Sequence, residues 1–175
     1  NGTIINQNGW VWKLGMNLTH YKNKVTDLPL KDMPRSGVNK LQVGRSVYDF
    51  YMIEWAGVDP ENGDPLWYKD EVDANKNPTG KRVTTSDYAS ANYYYVNKSS
   101  LPKFYGGFNT SLSWKGFDLS AIFAYSIGGY IYNRDITMIL HNGSLEGRDW
   151  STEILKRWTP ENRYTDVPAL STTSN

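Results

Sequence analysis

The stretch Asp59-Pro60-Glu61-Asn62-Gly63-Asp64 gathers three carboxylates in one short segment, the oxygen-rich kind of loop that calcium takes. The spacing argues against an ion. The glycine stands fifth in the loop rather than sixth, and the twelfth position is Asp70 rather than a glutamate. Pro60 and Gly63 instead have the dihedral preferences of a β-turn. Asp59, Glu61 and Asp64 are therefore read as turn residues, and no cofactor is expected. Asp70 and Glu71 invite a glycosidase reading, which needs two carboxyl groups facing each other across a sugar. No nucleophile–base arrangement accompanies them, so they read as solvated loop charges. His20 and His141 are the only imidazoles and cysteine is absent, which leaves no basis for zinc or thiolate chemistry. The residue types point away from an enzyme.

Aromatic side chains are the other resource: 7 Trp, 13 Tyr and 5 Phe, or 14% of the chain. Trp55, Trp67, Tyr68, Tyr93 and Tyr95 lie in turn-rich sequence, where they would stack on a ligand ring, meet a partner, or pack a long loop on itself. In the run Tyr93-Tyr94-Tyr95 successive side chains of a strand point to opposite sides, so only part of it can face a ligand. Trp158, after Lys156 and Arg157, is expected to anchor its own segment.

The elements that must carry these residues are strands and turns. Aromatic and β-branched residues with 15 Gly and 8 Pro favour sheet over helix. The 19 basic and 18 acidic side chains nearly cancel, giving no electrostatic case for nucleic acid. Mean hydropathy is −0.61, and no run approaches the roughly 18 apolar residues of a membrane helix. A transmembrane barrel is not excluded, because alternating strands leave a far weaker signal. The chain opens without Met or an export leader, and its ends read as those of a fragment.

"WVWKLGMNLTHY", after a turn at Asn6–Gly9, puts Trp10, Trp12, Leu14, Met16 and Leu18 on one face and Val11, Lys13, Gly15, Asn17 and Thr19 on the other. Residues 41–55 look strand-like with mixed faces, residues 56–82 like a chain of turns around one short strand at Leu66–Lys69, and Tyr93–Val96 like another strand. "DWSTEILKRW" predicts a short helix near 150–158, capped by Asp149 or Ser151. The strongest signal is "FYGGFNTSLSWKGFDLSAIFAYSI". A two-residue loop at Lys115-Gly116 sets Trp114 opposite Phe117 and Phe104 opposite Ile127. Phe104, Phe108, Leu112, Trp114, Phe117, Leu119, Phe123 and Tyr125 then share one face, while Asn109, Ser111, Ser113, Asp118 and Ser120 share the other.

An apolar face with aromatic residues at both ends, a polar opposite face, one minimal connection and very long ones are the marks of a transmembrane barrel. A secreted β-sandwich that binds glycan through exposed aromatics would show the same alternation. The two differ in whether the apolar face meets lipid or a second sheet.

Three blocks carry a resemblance that bears on this choice: "YDFYMIEWAGVDPENGDPLWY", "LPKFYGGFNTSLSWKGFDLSAIFAYSIGGYIYN" and "RWTPENRYTDVP". In order and spacing they resemble late segments of the SusC/RagA family of TonB-linked outer-membrane transporters, over roughly Leu41–Pro168. The resemblance implies part of a plugged barrel of about 22 strands, all-β and antiparallel, importing oligosaccharides or peptides. It implies a SusD-like surface lipoprotein as lid, membrane lipid around the barrel, and a TonB complex acting through regions outside this chain. Strands are then expected near 10–20, 104–114 and 117–127, with extracellular loops near 21–103 and 129–175 and the plug elsewhere. Trp10, Trp12 and Leu14 join the eight hairpin residues as the lipid-facing set. The Asn-x-Ser/Thr patterns at Asn17, Asn97, Asn109 and Asn142 carry no weight in such a protein.

Overall fold

The computed structural model describes residues 1–30, 33–34, 36–141, 143, 145 and 147–171; Asn142 lies outside them. The chain forms two units, Asn1–Phe50 with Asn97–Ile131, and Tyr51–Val96 with Tyr132–Asn175.

The first unit is built on a four-stranded antiparallel sheet. Its strands are β1 (Gly2–Gln7), β2 (Trp10–Thr19), β8 (Phe104–Trp114) and β9 (Phe117–Ile127), in the spatial order β1-β2-β8-β9. The β8–β9 register runs without a break from Trp114↔Phe117 to Phe104↔Ile127, as the sequence predicts. Lys115 and Gly116 both have positive φ, 46° and 88°, the left-handed pair that matches a two-residue turn to the twist of its strands. Asn8 and Gly9 do the same between β1 and β2, at 51° and 79°. Because Trp10 pairs with Trp114, the two tight turns stand side by side at one end of the sheet. At the other end β2 and β8 separate, with His20 Nδ1 2.6 Å from the Lys103 carbonyl. Everything from residue 20 to 103 leaves and returns between two neighbouring strands.

One close approach shapes the sheet near the end where β2 and β8 separate. The Tyr125 hydroxyl donates to the Asn17 carbonyl at 2.8 Å, passing over Gly106. A Cβ on Gly106 would lie 2.3 Å from that same carbonyl oxygen.

Within residues 20–103 the sequence reading needs correction. The strand expected over 41–55 is confined to β3 (Asp49–Ile53), with β4 (Trp55–Val58) following. Residues 41–48 instead turn at Gly44, whose φ is +89°. Asn23 holds that turn by accepting from the Ser46 hydroxyl and the Val47 amide. The short strand expected at Leu66–Lys69 is β5 (Pro65–Val72), and it pairs with an unexpected β6 (Pro78–Thr85). Their turn is organised by Asp73, whose carboxylate accepts from the amides of Asn75 and Asn77; those bonds, the Asn77 amide foremost, hold its pKa below the usual carboxylate value. The second unit thus has a three-stranded sheet, β4-β5-β6, while β3 pairs with β7 (Tyr93–Ser99).

The stretch 129–175 is not all loop. Helix α1 (Arg134–Ile139) is capped by Asn133, whose side chain accepts from Asp135 and Ile136 amides. The helix predicted near 150–158 is a single 3₁₀ segment, Thr152–Lys156, capped by Ser151 rather than Asp149.

Among the described residues Phe50 is the one buried apolar side chain. The accessible surface is 13107 Å², against roughly 8,700 Å² for a self-contained monomer of this mass. The described residues do not bury a core of their own.

Candidate functional site

The sheet of the first unit presents two chemically opposite faces. One carries Trp10, Trp12, Leu14, Phe104, Phe108, Leu112, Trp114, Phe117, Leu119, Phe123 and Tyr125, the whole set named from the sequence. Its ends are aromatic: Trp10 stacks on Trp114 at 4.9 Å beside the tight turns, and Phe104 meets His20 at 5.1 Å at the other end. Phe108 and Phe123 stack between them at 4.4 Å. Among the described residues this face stands open: Met16, Phe117 and Leu119 are 70%, 77% and 70% exposed. A sandwich would bury these residues under a second sheet. The sandwich reading fails there. The opposite face is lined by Lys13, Asn17, Asn109, Ser111 and Ser120, with Val11, Tyr105 and Ile122 as apolar or aromatic exceptions. An eleven-residue strand is about 34 Å long; tilted by about 45° it crosses about 24 Å, the height of a barrel's lipid-facing band.

Four of the five candidate binding aromatics of the second unit pack against other aromatic rings. Trp67 lies edge-on to Trp55 at 6.1 Å and to Tyr88 at 5.0 Å. Tyr51 contacts both Tyr93 and Tyr95, at 5.7 and 4.9 Å. Tyr68 is half-buried on β5 and joins neither group. Trp55, 43% exposed, is the ring among the five most open to solvent.

Tyr94, on the other side of β7, was not singled out by the sequence. Its hydroxyl donates to Asp70 at 2.9 Å, and the Arg82 guanidinium lies 3.7 Å from its ring centre while bonding Glu54 at 2.6 Å. Burial, with the Asp70 bond adding to it, pushes the Tyr94 phenol up to about 12. The alternation of the tyrosine run was the available signal, since a tyrosine opposite Tyr93 and Tyr95 needs a partner of its own. Asp70 and Glu71 diverge: Glu71 accepts from the Thr79 hydroxyl at 2.6 Å. They form no carboxylate pair across a common site.

The Asp59–Asp64 turn is satisfied internally. Asp59 accepts from the Glu61 amide, Asn62 from the Asp64 amide, and Asp64 from the Asn62 side chain. Among the described residues no group of three His, Cys, Asp or Glu side chains is placed to hold a metal. The turn serves as a seat for Trp158, which donates to the Pro60 carbonyl at 3.2 Å and packs its indole against Gly63. The Ala169 amide bonds the Gly63 carbonyl at 2.9 Å. Two blocks far apart in the sequence are joined here.

Beside this junction is a cleft of about 330 Å³. Trp55, Trp67, Leu140, Ile154 and Pro168 supply apolar walls, and Asp166 supplies a carboxylate. His141 beneath it is buried, accepting the Leu145 amide and lying edge-on to Trp150. Nothing in the sequence marked Asp166, Leu140 or Ile154 as neighbours of Trp55.

Exposed apolar face, aromatic ends, polar reverse and tight turns at one edge define a segment of a membrane barrel wall. No family model matches the chain. It is 28% identical to TonB-dependent receptor P26 of Formosa agariphila over 189 aligned positions, and 25% identical to TonB-dependent receptor P3 of the same organism over 182. Each alignment takes in 96% of this chain. Among solved structures, the RagAB peptide transporter matches with a TM-score of 0.83 at 34% identity, over 99% of this chain and 19% of the other. The RagAB peptide importer in its open-open state matches at 0.77 and 29%. The chain spans 18% of the length of the two receptors. It is an outer-membrane barrel segment of the SusC/RagA type of TonB-dependent receptor.

Proposed function

We propose that the chain supplies part of the wall and of the extracellular loops of an outer-membrane transporter that imports peptides. The reading rests on the uncovered apolar face of β2, β8 and β9, in a chain similar over 99% of its length to the RagAB peptide transporter. In it, lipid meets Trp10, Trp12, Leu14, Phe104, Phe108, Leu112, Trp114, Phe117, Leu119, Phe123 and Tyr125, and the polar face lines the water-filled interior. The turns at Asn8-Gly9 and Lys115-Gly116 are periplasmic, and residues 21–103 and 129–175 stand outside the cell. Of the loop aromatics, Trp55 and Trp67 meet the substrate, whereas Tyr93 and Tyr95 order the loop through Tyr51. A SusD-like lipoprotein closes over these loops, and TonB acts through regions beyond this chain. The Asp59–Asp64 turn needs no calcium. Similarity to a peptide transporter favours peptides over oligosaccharides as cargo.

The test is fractionation of the source cells with intact-mass measurement of the polypeptide carrying these sequences. A chain of 20.0 kDa spanning 18% of its relatives implies a whole of about 110 kDa. A species of that size in the detergent-extracted outer membrane, retaining peptides on purification, is expected. A free 20.0 kDa species in the soluble or secreted fraction overturns the reading.

A further inference from the structure

The cleft between Trp55, Trp67, Leu140, Ile154, Pro168 and Asp166 combines two features that one kind of ligand group satisfies together. Its walls are apolar apart from the buried His141, and its single acidic group, Asp166, is exposed. Among the described residues no hydrogen bond or ion pair occupies that carboxylate. Arg163, three residues away, lines a neighbouring cleft with Gly57, Val58 and Pro60 that Asp166 also borders, but its Nε is bonded to the Pro160 carbonyl and no ion pair joins it to Asp166.

From this juxtaposition we infer that the cleft is a side-chain subsite for lysine or arginine in a bound peptide. The inference rests on the peptide-import reading and assigns that site a preference. A long basic side chain carries an aliphatic stem, which apolar walls accept, and a cationic head, which a carboxylate and an indole face attract. A sugar ring fits less well, since its many hydroxyls need more donors and acceptors than one carboxylate provides. An acidic side chain is repelled by Asp166. A purely apolar side chain would fill the walls but leave the carboxylate unused.

The experiment uses the complete transporter purified with its lipoprotein. Two peptide libraries are compared, identical except that one position is lysine in the first and norleucine, its uncharged counterpart in stem length, in the second. The intact complex is expected to retain lysine peptides about fivefold better. Asp166→Asn is expected to abolish that preference while retaining norleucine peptides at the parental level. Trp55→Leu, which keeps an apolar wall but loses the π face, is expected to reduce it in part. Norleucine binding reports that each variant is folded, so a general loss is not confused with a loss of selectivity. Equal retention of both libraries by the parent, or a lysine preference unchanged in Asp166→Asn, overturns the subsite and leaves peptide import standing. Retention of neither library by a folded complex overturns both.

Discussion

Tyr94 stands between a carboxylate and a guanidinium, and its proton is held more tightly than that of a free phenol. Its pKa is raised to about 12, from about 10 in an unfolded chain. The neutral phenol is therefore the form that folding favours. Its contribution is complete below about pH 10 and is lost as pH rises from about 10 to about 12. Phenolate absorbance is expected to show one tyrosine titrating late, and Tyr94→Phe to remove that step. In the variant, hydrogen exchange in β5 and β7 should change less between pH 10 and 12 than in the parent. An identical alkaline profile in the two proteins would refute the assignment. Asp70 takes a structural role at this scale, as the acceptor that fixes Tyr94, and Arg82 joins the ring to Glu54.

The elements differ in how plainly the sequence announces them, and the junction at Gly63 shows why. Gly63 has φ +81°, and a Cβ there would lie 2.6 Å from the Trp158 indole. Gly63→Ala is therefore strained twice, by backbone and by contact, and should cost about 1–3 kcal/mol of local stability. Limited proteolysis is expected to cut residues 147–171 faster in Gly63→Ala and in Trp158→Ala than in the parent. Equal resistance would show that the junction does not hold the segment. The sequence marked Gly63 as a turn and Trp158 as an anchor but could not say that they meet, because nothing local connects them. The β8–β9 hairpin was legible down to its register, since its alternation is long and its turn is two residues. The β5–β6 hairpin was hidden by its own composition: Pro65, Pro78, Gly80 and a turn of Asp and Asn interrupt the alternation, and β6 is largely exposed. Helix α1, at six residues, is too short to show a period. The Trp55–Asp166 cleft was illegible for the same reason as the junction.

For the whole molecule, the decisive property is the orientation of the sheet, and neighbouring positions on β9 can report it. Phe123 lies mid-strand on the apolar face and Ser120 on the reverse. Phe123→Arg should destabilise the folded barrel by about 2–4 kcal/mol, whereas Ser120→Arg should be near neutral. Urea unfolding in lipid vesicles measures both, and equal costs would contradict the assignment of faces. The pairing of β2 with β8 has a separate, historical consequence. To the sheet, residues 20–103 are merely a long hairpin loop closed where His20 meets Lys103. The entropy of closing such a loop grows only logarithmically, by about 0.6 kcal/mol for each doubling of length. Insertions, deletions or wholesale exchange of that segment are therefore nearly invisible to the wall. Descent can remodel that segment while inheriting unchanged the staves that stand in the membrane.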